Sequence, residues 1–176
     1  MISGFKKAEN VGARLCLPVL IVTLAMFSMS CGQSKKVLTD GDMKATLSGH
    51  TLTIEVPGDS YETGQNVTVQ DVIVADINND NTPDVLALCV KQGSYGDHLP
   101  FYVEENDTDL DQHIFIYTYN EKRGIYPMWM SSAIPQEISR FEVRRDSERD
   151  VAVLTLISPD GTETSWYWDY FGLKAF

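Results

Sequence analysis

Cysteine, histidine and basic side chains are all scarce in this chain. Its 176 residues hold three cysteines, Cys16, Cys31 and Cys89, and three histidines, His50, His98 and His113. No two cysteines have the close spacing of a zinc or redox site. The histidines lie far apart, with no carboxylate at metal-type spacing. There is no G-x-S-x-G, no H-E-x-x-H and no phosphate-cradling glycine loop, so the familiar hydrolase, zincin and nucleotide-binding signatures are missing. Asp97 and His98 form the one catalytic-looking pair, and adjacent loop residues rarely work as a dyad. With Glu104 they support only a secondary reading, a hydrolase of envelope polymer.

Positive charge is short as well. Lys and Arg number 14 against 25 Asp and Glu, a net charge of −11. That balance argues against nucleic acid and against electrostatic binding to anionic lipid. Only one long apolar run exists, LCLPVLIVTLAMF at residues 15–27, behind the basic residues Lys6, Lys7 and Arg14. It is short for a membrane span and carries Pro18. Basic, apolar and then small residues, ending in Ser28-Met29-Ser30, is the anatomy of an export signal over residues 1–30. Without those residues the chain keeps 11 basic and 24 acidic side chains, a net −13.

Ser30-Cys31-Gly32 resembles the lipobox of bacterial lipoproteins. The resemblance implies a diacylated Cys31 as the mature N-terminus, held at the membrane of the cell envelope by lipid alone. Ser28 stands where that family prefers Leu, and plain cleavage after Ser30 is the alternative. Residues 32–44, GQSKKVLTDGDMK, are polar and aperiodic and read as a tether from the lipidated Cys31. The domain is then expected over residues 45–176. Cys89, alone inside it, sits in an apolar run and reads as a small core residue.

The domain reads as all-β. TLTIEV at 51–56 alternates cleanly and ends at Pro57-Gly58-Asp59. HIFIYTY at 113–119 is apolar on both faces, as in a central strand. IYPMWM at 125–130 returns after a polar turn. Residues 138–143 and 151–157 form a hairpin, and TSWYWDYF at 164–171 is the last strand. The count is eight or nine short strands in series, with no convincing amphipathic helix after residue 31. The expected topology is an antiparallel meander. Residues 71–90 and 141–157 share one shape: strand, acidic turn, apolar strand, each followed by an aromatic strand. Such repetition suggests two to three propeller-blade-like units, too few to close a ring.

The most informative stretch is DVIVADINNDNTPDVLALCV, residues 71–90. Between two apolar runs, Asp76, Asn78, Asp80, Thr82 and Asp84 fall at every second position. Oxygen ligands at that spacing suit a hard cation in a tight loop. Two carboxylates about 5 Å apart at an effective dielectric near 20 repel by roughly 3 kcal/mol, so three converging in one loop favour a divalent ion. Ala87 stands where an EF-hand needs its Glu, which excludes that motif. The stretch resembles the FG-GAP and VCBS repeats of integrin-type propellers and bacterial surface proteins. The resemblance implies one structural Ca²⁺, bound by Asp76, Asn78, Asp80, Asp84 and the carbonyl of Thr82. Asn81 departs from the usual Gly, but Asn tolerates a left-handed backbone. Residues 144–150 lack the ligand spacing, so one site is expected. The alternative is an Asx-rich turn whose acids are merely solvated.

Residues 91–111 form a long acidic loop bearing Tyr95, Phe101 and Tyr102. Long aromatic loops on a rigid sheet are where recognition is commonly placed, which makes these three the candidate contact surface. The expected partner is a protein or glycan of the cell envelope. Trp166, Trp168 and Tyr170 share one face of the last strand. If exposed they would suit a carbohydrate-binding module; burial in the core is the competing reading. Together these readings describe an exported binding or structural module rather than an enzyme.

Overall fold

Twelve strands account for all the regular structure in the described residues. The computed structural model describes residues 34–93, 99, 101, 104, 105 and 107–176. The strands are β1 (Lys35–Asp40), β2 (Met43–Ser48), β3 (Thr51–Val56), β4 (Asp59–Glu62), β5 (Thr68–Ala75), β6 (Asp84–Gln92), β7 (Leu110–Asn120), β8 (Gly124–Met130), β9 (Arg140–Asp146), β10 (Val151–Ile157), β11 (Glu163–Asp169) and β12 (Gly172–Ala175). They form three four-stranded sheets, β1-β2-β3-β4, β5-β6-β7-β8 and β9-β10-β11-β12. Every pairing is antiparallel between chain neighbours. Each sheet is thus an up-and-down meander of the kind that makes a propeller blade, and none closes into a barrel. The expected open meander of blade-like units is what the chain forms, with three units.

The sheets stack in three layers, and the reason lies in the middle one. On β6 and β7, Val85, Ala87, Cys89, Phe115 and Tyr117 face the first sheet and join Met43, Ala45, Leu52 and Ile54 in one core. The alternate residues Leu86, Leu88, Ile114 and Ile116 face the third sheet and join Phe141, Ala152, Leu154 and Leu156 in a second core. A strand covered on both faces has no polar side to show, so it reads as a continuous apolar run. The outer face of the first sheet carries Lys44, Ser48 and Thr51, all exposed.

Equivalent strands lie over one another. β1 neighbours β5, β5 neighbours β9, and β4 neighbours β8. Lys36 fixes the first alignment, donating to Asp71 Oδ1 at 2.6 Å and to the Val72 carbonyl at 2.8 Å. Asp59 Oδ2 fixes another, accepting from the Ile125 amide at 2.7 Å. At the β8–β12 edge the Trp129 indole lies on Gly172, where a Cβ would stand 2.5 Å from Nε1.

Two sequence expectations need correcting. Residues 35–44 are not tether: they form β1 and begin β2, so the domain starts near residue 35 and not at residue 45. β1 is an edge strand whose outward positions, Lys35, Val37 and Thr39, are exposed, and it buries little beyond Leu38, which packs against the first core. The last strand also ends early. β11 stops at Asp169, and Tyr170 and Phe171 turn the chain into β12. Tyr170 therefore does not continue the strand face of Trp166 and Trp168.

Candidate metal loop between β5 and β6

Ala75 pairs with Asp84, so residues 76–83 close a hairpin between β5 and β6. Ile77 anchors the loop. It is fully buried and belongs to the second core, a burial contributing about 1.5–3 kcal/mol. With Ile77 turned inward, the flanking Asp76 and Asn78 turn toward the loop's own amides. Asp76 Oδ1 accepts from the Asp80 amide at 3.1 Å, and its Oδ2 from the Asn81 amide at 2.9 Å. Asn78 Oδ1 also accepts from the Asp80 amide, at 3.0 Å, and Asn78 Nδ2 donates to Asp80 Oδ2 at 2.9 Å. Asp80 Oδ1 accepts from the Thr82 amide at 2.7 Å. These Asx-type bonds need left-handed backbone twice. Asn79 supplies it at φ 60° and Asn81 at φ 67°, a conformation that Asn tolerates better than most residues.

Asp84 is different in kind. Its side chain is fully buried at the first position of β6. Oδ2 accepts from the Ile77 amide at 3.2 Å, while the enclosed Oδ1 accepts no hydrogen bond. Loss of water pushes the carboxyl up to about 7. The nearby Thr118 side chain and the Ile77 amide pull it down, and the Asp80 and Asp76 carboxylates push it further up. A buried carboxylate with an unused oxygen calls for a proton or a cation.

The donor set fits a hard cation in type. It offers three carboxylates and one amide oxygen, with the Thr118 side chain as a rival donor to the Asp84 carboxyl. Yet among the described residues no three His, Cys, Asp or Glu side chains gather into a ready-made metal centre. Asp76 and Asp80 are drawn onto backbone amides instead.

Two contacts to the loop escaped the sequence reading. Arg145 Nη1 on β9 donates to Asn79 Oδ1 at 3.0 Å, and its Nε donates to Asp150 Oδ1 at 2.9 Å. Asn78 Nδ2 also reaches Met128 Sδ at 3.5 Å. The loop is thereby tied to the third sheet and to β8. Nothing in local spacing signals either contact.

The other sequence candidates scatter. Cys31, Tyr95, Tyr102, Asp97 and His98 lie outside the described residues. Phe101 is fully exposed, and Glu104 is exposed. Trp166 and Trp168 are half-buried against the second core and do not make an open platform for sugar. His113 Nδ1 donates to the Ser131 carbonyl at 3.0 Å, and His50 Nδ1 to the Val69 carbonyl at 3.2 Å. Both histidines serve backbone groups, His113 within the second sheet and His50 across from the first sheet to β5 of the second.

No protein-family model, no curated protein and no solved structure matches this chain. Its class is defined by the fold: an open stack of three four-stranded, blade-like sheets.

Proposed function

We propose that this protein is an exported, lipid-anchored module of the cell envelope, of FG-GAP or VCBS type, in which one Ca²⁺ fastens the β5–β6 loop. Asp76, Asn78, Asp80, Asp84 and the Thr82 carbonyl would hold the ion, and Cys31 would carry the lipid. The ion's role is to fold the loop, since it neutralises carboxylates that otherwise repel. The protein's role is binding or structural, with Tyr95, Phe101 and Tyr102 as the contact surface toward an envelope protein or glycan.

The observation that supports the ion is Asp84, fully buried with one oxygen unpartnered beside two further carboxylates. A merely solvated Asx turn has no reason to place an acid there. Calcium titration followed by thermal unfolding tests the reading. Calcium should raise the melting temperature of the wild type, and Asp76→Ala and Asp80→Ala should each weaken that rise. A melting temperature indifferent to calcium in all three proteins removes the ion from the proposal. The mass of the mature N-terminus tests the lipid at Cys31 separately.

A further inference from the structure

In the β5–β6 loop, the proposed ligands and the residues between them serve different neighbours. Asp76, Asn78 and Asp80 turn oxygens onto amides of their own loop. Ile77 and Asn79, which alternate with them, engage the third sheet. Ile77 is fully buried in the second core, which it shares with Phe141 on β9 and with Ala152, Leu154 and Leu156 on β10. Asn79, left-handed at φ 60°, accepts at Oδ1 from Arg145 Nη1 on β9 at 3.0 Å. One short run of chain therefore carries two sets of contacts, and backbone order that fixes one set fixes the other.

Arg145 braces more than the loop. Its Nε donates to Asp150 Oδ1 at 2.9 Å and its Nη2 to the Asp150 carbonyl at 3.3 Å. The same guanidinium thus spans the β9–β10 turn and the β5–β6 loop. The opposite end of β9 is held in another way. Gln112 on β7 donates from Nε2 to the Ile138 carbonyl at 2.9 Å and accepts at Oε1 from the Ile138 amide at 2.6 Å. Its own carbonyl accepts from the Ile134 amide at 2.8 Å. None of these bonds involves the loop. The third sheet is therefore pinned to the second beside Gln112 at one end of β9, and through Ile77 and Asn79 at the other.

We propose that the β5–β6 loop is a calcium-operated clasp on the third sheet, an inference that rests on the reading above of one Ca²⁺ in this loop. Without the ion, repulsion among Asp76, Asp80 and Asp84 opens the loop, and Ile77 and Asn79 leave the third sheet with it. With the ion the loop closes and seats both residues. The coupling is reciprocal, since a docked third sheet favours the closed loop that the ion needs. Ile77 carries most of it, because a buried apolar side chain outweighs a hydrogen bond to an exposed arginine. The effect is local: the β9–β10 turn responds and the Gln112 end does not. An exported chain then completes its third sheet where calcium reaches the roughly 10⁻⁴–10⁻³ M that extracellular modules bind.

Hydrogen exchange read by mass spectrometry, on the full chain in chelator and in excess calcium, tests this. Calcium should slow exchange in the loop, residues 76–84, and also at residues 143–153 around the β9–β10 turn, there by about fivefold or more. Residues 134–140 should exchange alike in both conditions. Asn79→Gly separates the clasp from the ion. Gly keeps the left-handed backbone, leaves net charge and every proposed ligand unchanged, and removes the acceptor for Arg145. In that variant calcium should still raise the melting temperature and slow the loop, while the slowing at 143–153 shrinks about two- to fivefold. Calcium that slows the loop alone, or all three sheets equally, overturns the clasp and leaves the ion standing. An Asn79→Gly protein indistinguishable from wild type does the same. A melting temperature indifferent to calcium removes the ion, and the clasp with it.

Discussion

Replacing Asp84 by Asn should reverse its effect on stability between pH 4 and pH 8. In the metal-free protein the carboxyl titrates near 7, against an ordinary 3.8. Between those values the folded chain keeps a proton that the unfolded chain has released. The stability contributed by Asp84 is therefore fully present below about pH 4, is lost as pH rises toward 7, and levels off above it. A shift of about three units is worth about 4 kcal/mol over that range. Asn cannot ionise, so this fall disappears, but its amide leaves a donor unpaired in the pocket at a cost of about 1–3 kcal/mol. At pH 4 the variant should be less stable than wild type by that cost. At pH 8 it should be more stable by about 1–3 kcal/mol. Urea unfolding in chelator at several pH values measures both curves, and the difference between them cancels the other acids. With calcium in excess, the ion should take the proton's place. Wild type should then keep its stability above pH 5, while the variant gains little. Parallel curves for the two proteins in chelator would refute the account of Asp84 as a buried, ionisation-resisting acid.

Three further outcomes follow from the same geometry. Asn81→Gly should stabilise the metal-free protein by up to about 1 kcal/mol, because φ 67° suits Gly better; a chemical melt reads the shift. Gly172→Ala should destabilise by about 1–3 kcal/mol and alter tryptophan emission, since the new Cβ meets the Trp129 ring and not a flexible chain end. The Cys89 thiol is buried and pushed up to about 12, chiefly by desolvation, so maleimide should label it only on unfolding, a rise visible by mass spectrometry.

Much of the middle sheet was legible because its chemistry is local. The runs 72–75, 85–90 and 113–119 are apolar on both faces, and the structure covers both faces. The two stretches of like shape fall at equivalent places: β5, β6 and β7 stand to the second sheet as β9, β10 and β11 stand to the third. The first sheet was only half legible. KKVLTD offers too little alternation to mark β1, which is a strand because β2 pairs with it and Lys36 reaches Asp71. β12 is four residues long, and the aromatic Tyr170 and Phe171 have strand propensity that tertiary structure overrides with a turn. In the loop, the spacing of Asp76 to Asp84 foretold a tight hairpin. It could not say that Asp84 alone is enclosed, because that enclosure comes from Ile77 and from β7.

The early start of β1 has a consequence for reach. Only Gly32, Gln33 and Ser34 separate Cys31 from Lys35. At about 3.3–3.6 Å per residue, that leash extends no more than about 14 Å. A protein moored by lipid at Cys31 would stand almost on the headgroups, within a Debye length or two of them. On so short a leash, its partners would have to come to the bilayer to meet it.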